Sequence, residues 1–158
     1  MNDIINMQIN GIAHIQLSVR RFEECVAFYE KLLPFFEMTL MYKSHNYLYY
    51  VGGKTGIAIS RAGKEFLEEP FHELRPGLHH FCFRLKNKED VDELANFITS
   101  IGGTLTRTPQ YNEEWAPGYY SILFEDPDGL QIEANYVPGK GNLDAHVKLP
   151  KDWFRDEN

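Results

Sequence analysis

Two histidines and a glutamate are the residues of this chain whose types and spacing could hold a metal ion. His14 and His80 occupy equivalent positions in two similar segments, because 11–20 (GIAHIQLSVR) and 77–86 (GLHHFCFRLK) align without gaps from a glycine to a basic residue. Glu133 lies in a third segment, 130–136 (LQIEANY). Two imidazoles and one carboxylate are a common ligand set for divalent Fe, Mn, Zn, Ni or Co, and they leave coordination positions open to water and substrate. We therefore expect these three residues to hold one divalent metal ion, with Glu133 also taking part in catalysis.

The alternation of apolar and polar residues predicts which side chains share a face of each strand. In all three segments the apolar residues are expected to pack against a helix, which sends the intervening residues to the opposite face. That opposite face would carry His14, Gln16 and Ser18 from the first segment, His80, Cys82 and Arg84 from the second, and Gln131, Glu133 and Asn135 from the third. His79 falls on the apolar side of this alternation, so His80 is the predicted partner of His14. Aligning Gly56 with Gly129 places Ser60 at the position of Glu133, which predicts three protein ligands rather than four.

The elements that must position these residues occur twice, each time as a strand, a helix and three strands. Helical periodicity is expected at about 22–34, ending at Pro34, and at about 91–101, ending before two glycines. Strand signals follow at 38–43, 47–51 and 56–61, and again at 104–107, 119–125 and 130–136. The pattern predicts an α+β fold in which two βαβββ modules in tandem form a cupped mixed sheet with helices on the outer face.

The predicted domain boundaries follow from the same repeat. The first module covers 10–62, a linker covers 63–76, and the second module covers 77–137. A C-terminal tail covers 138–158, and its Trp153 and Phe154 are expected to dock on the body. The second module is longer than the first, and we expect the extra residues in the aromatic segment 109–118, either as a lid over the site or as packing over a sheet edge.

Composition and charge exclude several classes of function. The chain has 158 residues, of which 43% are hydrophobic and 25% charged, values typical of a globular protein. A net charge of −7 disfavours binding to nucleic acids and to anionic membrane surfaces, and no apolar run approaches the length of a membrane span. Cys25 and Cys82 form no CxxC pair, so a disulfide framework is not expected and a reducing cytoplasm is the default location.

The assembled residues resemble the vicinal oxygen chelate superfamily, which includes glyoxalase I, extradiol dioxygenases, fosfomycin-resistance thiol transferases and bleomycin-resistance proteins. The resemblance spans Gly11 to Tyr136 and is carried by three pieces: the strand of His14 with its following helix, the strand 77–85 with its histidine, and the turn 126–129 (DPDG) followed by Glu133. Glyoxalase I enzymes generally supply four protein ligands, so Ser60 departs from their pattern. Extradiol dioxygenases use two histidines and a glutamate, and the fosfomycin enzymes match in length and ligand number.

The resemblance implies a metal-dependent enzyme in which a divalent ion acts as a Lewis acid on two neighbouring oxygens of a small-molecule substrate. The reaction could be glyoxalase-like, dioxygenase-like or thiol-transferase-like. The alternative is a metal-independent protein that binds a small molecule, such as an antibiotic, as bleomycin-resistance proteins do. A homodimer is also implied by the resemblance. The expected substrate-binding residues are Gln16, Arg84, Asn135, Tyr111 and Trp115.

Overall fold

The computed structural model describes residues 7–141, and these form two compact units that divide between Glu68 and Glu69, within the predicted linker. The first unit contains β1 (His14–Val19), α1 (Phe22–Phe35), β2 (Thr39–Lys43), β3 (Tyr47–Gly52) and β4 (Thr55–Arg61). A short 3-10 helix, Lys64–Phe66, follows them. The second unit contains β5 (Phe81–Arg84), α2 (Glu89–Ser100), β6 (Thr104–Tyr111), β7 (Tyr120–Glu125) and β8 (Gln131–Tyr136).

Both units have the same sheet topology, which confirms the predicted tandem βαβββ modules and the α+β class. The strand order is β1-β4-β3-β2 in the first sheet and β5-β8-β7-β6 in the second. In each sheet the first and last strands of the module pair in parallel, and the remaining neighbours pair antiparallel. The helix between the first two strands is the crossover that a parallel pair requires.

One face of each sheet is buried by the helix of its own module. The apolar residues of α1 recur at three- and four-residue steps, and those that become buried are Phe22, Cys25, Phe28, Tyr29, Leu32 and Leu33. In α2 the corresponding buried residues are Val91, Leu94, Ala95 and Ile98. Opposite them lie fully buried strand residues, including Ile57 and Ile59 in the first sheet and Ile132 and Ala134 in the second. We call the other side of each sheet, which the helix does not cover, its open face.

A β-bulge occurs at the same place in both modules. In the first, Leu40 pairs with Tyr50 and Tyr42 with Tyr49, so that one extra residue lies on β2. In the second, Leu105 pairs with Phe124 and Arg107 with Leu123, so that one extra residue lies on β6. A bulge reverses the alternation of side chains beyond it. Arg107 therefore turns to the open face of the second sheet.

The sheet registers correct the predicted counterpart of Glu133. Gln16 and Cys82 are equivalent in the repeat, and their partners across the parallel pairs are Ala58 and Glu133. Ser60 instead pairs with Ser18. Because Ser18 is equivalent to Arg84 in the repeat, and Arg84 pairs with Asn135, the counterpart of Ser60 is Asn135. The alignment on turn glycines was wrong by two residues because the β3–β4 turn is shorter than the β7–β8 turn. Alanine has no side-chain atom that can ligate a metal, so three protein ligands rather than four stays the prediction.

The extra residues of the second module lie where the sequence predicts them. They lengthen β6 to Tyr111 and form the loop 112–119, which leads into β7. Within residues 7–141 no helix is both long and apolar enough to cross a membrane. The predicted docking of Trp153 and Phe154 concerns residues outside the described part of the chain.

Candidate metal centre

Glu133 lies at the centre of a polar cluster on the open face of the second sheet. Its neighbours in one row across the four strands are Cys82 on β5, Leu123 on β7 and Arg107 on β6. The residue is only 8% exposed. A carboxylate so buried requires charged or hydrogen-bonding partners, because its transfer from water is otherwise very costly.

The two oxygens of the Glu133 carboxylate have different partners. Its Oε1 accepts a hydrogen bond from Nη2 of Arg107 at 2.9 Å and a second from the hydroxyl of Tyr119 at 3.1 Å. Its Oε2 lies 3.4 Å from Nε2 of His80. One oxygen is therefore held by Arg107 and Tyr119, while the other contacts an imidazole nitrogen that can also act as a metal ligand.

Glu133 is kept ionised by these partners. Burial alone would raise its pKa, but the polar contacts with His80 and Ser121, the positive charge of Arg107 and a hydrogen bond from Tyr119 outweigh it and lower the pKa to about 2. Glu133 is consequently a carboxylate over the whole physiological pH range, which is the form that binds a metal ion.

His80 is oriented by its neighbour in the chain. Its Nδ1 lies 2.7 Å from Nδ1 of His79, and the two rings meet edge to face. One of these nitrogens must carry the proton and the other accept it. A histidine that binds a metal through one nitrogen usually has the other fixed in this way. β5 begins only at Phe81, so the alternation used to set His79 aside does not extend to either histidine, and both are exposed.

A second layer of hydrogen bonds supports Arg107. Its Nη2 also donates to the hydroxyl of Ser121 at 2.7 Å, and that hydroxyl donates to Oδ1 of Asn112 at 3.2 Å. Ser121 and Asn112 are buried. The guanidinium is thus fixed from two sides, by Glu133 and by a buried hydroxyl.

Two buried polar atoms of the cluster have no hydrogen-bond partner among the described residues: Nε of Arg107 and Oδ1 of Asn135. Asn135 is 5% exposed and lies on β8 two residues after Glu133, on the same face. Buried polar atoms are nearly always satisfied. The cluster therefore contains one buried donor and one buried acceptor that an enclosed water could satisfy.

Cys82 and Tyr119 are protonated neighbours of the carboxylate. Burial among protein atoms, followed by the negative charge of Glu133, raises the pKa of the Cys82 thiol, although part of the side chain is exposed. Burial, and then the proximity of Cys82, raises the pKa of the Tyr119 hydroxyl. At neutral pH both groups carry their proton, so neither is an activated nucleophile.

The predicted site residues of the first module lie on its own open face. His14 begins β1 and pairs with Gly56, and its side chain is exposed. Gln16 donates from Nε2 to the hydroxyl of Ser60 at 3.4 Å, and that hydroxyl donates to the carbonyl oxygen of Leu17 at 3.1 Å.

The remaining predicted substrate residues have varied positions. Arg84 is exposed on β5 and pairs with Asn135, next to the Glu133 row. The ring of Tyr111 packs at a tilt against that of Tyr120, with 4.8 Å between ring centroids, near the ammonium group of Lys88, which precedes α2. It therefore lies on the helix side of β6 rather than beside Glu133. Trp115 is partly exposed in the loop 112–119.

The pair formed by His80 and Glu133 fits a metal ion, and the surrounding charge opposes one. Metal bonds of roughly 2.0–2.2 Å at tetrahedral or octahedral angles put two ligand atoms roughly 3.0–3.4 Å apart, and the nearest atoms of this pair are 3.4 Å apart. Arg107, however, already supplies a positive charge to the same carboxylate. Across residues 7–141 no group of three or more His, Cys, Asp or Glu side chains is assembled to hold a metal. The second module thus supplies two side chains at the spacing of two ligands of one metal ion, but not a complete set of ligands.

Sequence reasoning missed Arg107, Tyr119, Ser121 and Asn112. The bulge on β6 concealed Arg107, since strict alternation from Leu105 assigns it to the helix face. Ser121 could have been found from the sequence, because it shares the alternation of Leu123 on a strand that was correctly predicted. Tyr119 could have been found in the same way, because it begins the predicted strand 119–125 and shares the alternation of Ser121. Asn112 lies outside the strands, where periodicity gives no signal.

Comparison with known proteins identifies the family. Residues 11–134 match the model of the Glyoxalase/Bleomycin resistance protein/Dioxygenase superfamily. The chain therefore belongs to this superfamily, the vicinal oxygen chelate group to which its motifs are similar.

Among individual relatives, the uncharacterized protein YqjT of Bacillus subtilis is 30% identical over 77 residues, which are 49% of this chain and 60% of that protein. The match thus spans less than two thirds of that relative. A protein of Bacillus halodurans, described as a candidate glyoxalase, has a structure with a TM-score of 0.70 at 26% identity, covering 81% of this chain and 96% of its own. The fosfomycin resistance protein FosX of Mesorhizobium loti has a TM-score of 0.58 at 22% identity, covering 82% of this chain and 94% of its own, and shows the fold alone.

Proposed function

We propose that the protein is an enzyme that depends on a mononuclear divalent metal and acts on a small molecule with adjacent oxygen atoms. The observation that carries the proposal is the approach of His80 Nε2 to Glu133 Oε2, at the spacing of two ligands of one metal. His14 is the third ligand in the sequence-based prediction. The nitrogen and oxygen donors suit Fe, Mn, Co, Ni or Zn.

The roles of the second-module residues follow from their contacts. Glu133 binds through Oε2, because Oε1 is engaged by Arg107 and Tyr119. His79 holds the ring of His80 in place through the contact between their Nδ1 atoms. Such partners of metal ligands are commonly worth about 10- to 100-fold in metal affinity.

The bound ion would supply Lewis acidity, stabilising negative charge on substrate oxygens. The chain itself provides groups that can orient the substrate. Asn135 offers a buried, unsatisfied carbonyl oxygen as a hydrogen-bond acceptor. Arg84, exposed in the neighbouring position, can pair with an anionic group of the substrate. Gln16 remains a proposed substrate contact of the first module.

The reaction class can be tested with parallel assays on three substrates: a glutathione hemithioacetal, a catechol with oxygen, and fosfomycin with a thiol. We expect turnover of one of these compounds by metal-loaded protein, its loss on treatment with a chelator, and its recovery on adding the metal back. The variant E133Q should be inactive at every metal concentration. R61M is a matched control, because it breaks an exposed Arg–Glu pair on the helix side of the first module. Turnover that persists unchanged in metal-free protein would overturn the proposal.

The ion pair of Glu133 with Arg107 favours a second candidate, a binding protein that works without a metal. In that case Arg107 neutralises the carboxylate permanently, and the open face binds a small molecule through hydrogen bonds alone. The two candidates differ in the effect of a chelator on ligand binding. Affinity for the ligand is lost under the first and unchanged under the second.

A further inference from the structure

Arg107 occupies the position in which it competes with a metal ion for Glu133. Its Nη2 lies 2.9 Å from Oε1, on the carboxylate whose other oxygen faces His80. We propose that Arg107 is an internal counter-ion for Glu133 that lowers the affinity of the site for divalent metals. This inference rests on the proposed metal site, and it assigns to Arg107 control over metal occupancy.

The charges around the carboxylate oppose a bound divalent ion. Without a metal, Arg107 and Glu133 together are neutral. A divalent ion at Oε2 would lie within a few ångströms of the guanidinium, and like charges so close repel strongly where water is partly excluded. The pair also reduces the negative charge that attracts the ion. Both effects weaken metal binding.

The guanidinium of Arg107 is held in a fixed position. Arg107 cannot readily move away from an incoming ion, because the same Nη2 donates to the buried hydroxyl of Ser121, which is in turn held by Asn112. A flexible surface cation would swing into solvent on metal binding. This one stays, so its repulsion persists in the metal-bound state.

Arg107 also limits the number of carboxylate oxygens that are available to a metal ion. With Oε1 engaged by Arg107 and Tyr119, Glu133 can offer one oxygen only. Ca²⁺ favours two-oxygen carboxylate binding and six to eight oxygen ligands, whereas the transition metals accept one oxygen beside imidazole. Arg107 thereby also selects against Ca²⁺.

The test is a calorimetric titration of tag-free protein with Co²⁺ alone, using wild type, R107M and R107Q. We expect both variants to bind Co²⁺ at least about tenfold more tightly than wild type, because a like charge has been removed. R107K, which keeps the charge, should remain close to wild type. R61M removes an equal charge from an exposed pair of the first module and should leave the Co²⁺ affinity unchanged.

The outcomes separate this inference from the proposed function. A purely structural role for Arg107 predicts weaker binding in R107M and R107Q, or no change, and either result overturns the inference. Two variants are used so that a folding defect in one, detected by circular dichroism, leaves the other to decide. If wild type takes up no Co²⁺ while R107Q does, the inference stands and the proposed function fails. If wild type binds and the variants bind no more tightly, the inference alone fails.

Discussion

Replacing Arg107 by Met in the metal-free protein should expose the energetic role of the pair it forms with Glu133. The partners of Glu133 lower its pKa from 4.5 to about 2 despite its burial. Since one pKa unit corresponds to about 1.4 kcal/mol, the net lowering contributes about 3 kcal/mol to the free energy of unfolding at neutral pH. Arg107 is one of four favourable partners, and its loss also leaves a buried charge less well compensated. We expect R107M to lose about 2 kcal/mol at pH 7.

The pH dependence of that loss has a definite sign. A carboxylate with a lowered pKa in the folded state stabilises the protein above the pKa of the unfolded chain, near 4.5, and this stability disappears as the pH falls toward about 2. The difference between wild type and R107M should therefore be constant from pH 7 to pH 5.5 and shrink by roughly a third by pH 3. Urea unfolding followed by circular dichroism measures it. A difference that is the same at pH 3 as at pH 7 would refute the reasoning and assign the loss to packing of the Arg107 side chain.

Three further predictions concern other parts of the fold. H79A should weaken Co²⁺ binding about tenfold in a calorimetric titration, because it releases the ring of His80, and unchanged affinity would show that His79 plays no such part. Y120F should lose about 1 kcal/mol of stability in urea at pH 7, since the hydroxyl of Tyr120 donates to Asp92 at 2.7 Å. Burial and then this hydrogen bond raise the pKa of the Tyr120 hydroxyl to about 12, so the stability difference between wild type and Y120F should vanish as the pH rises from 10 to 12. Gly52→Ala should cost about 1–3 kcal/mol of stability in the same assay, because the added Cβ would lie 2.9 Å from the backbone Cα of Met38. An unchanged stability would mean that this contact relaxes freely.

The elements of the fold could be predicted from the sequence because their signals are local. The three- and four-residue steps of apolar residues located α1 to within one residue at its C-terminal end, at Phe35 rather than Pro34. Alternation on β8 placed Glu133 on the open face correctly, since that strand is regular along its whole length. The repeat itself gave the tandem βαβββ arrangement.

The details of the site could not be predicted because they depend on irregular geometry. One extra residue in β6 decides whether Arg107 faces the helix or Glu133, and no residue type in that strand indicates that a bulge occurs there. The unequal turns before β4 and β8 misled the alignment of Ser60 with Glu133, and only the strand register shows that Ala58 is the counterpart. His79 and His80 precede β5, and outside a strand the alternation of residues does not predict which way a side chain faces.

The most direct test of the metal centre is the Co²⁺ content of wild type and H80A after equilibrium dialysis against buffered Co²⁺. We expect one ion per chain in wild type, and less than a tenth of that occupancy in H80A at the same free concentration, because His80 supplies the nitrogen that faces Oε2 of Glu133. Equal Co²⁺ content in the two proteins would contradict this expectation.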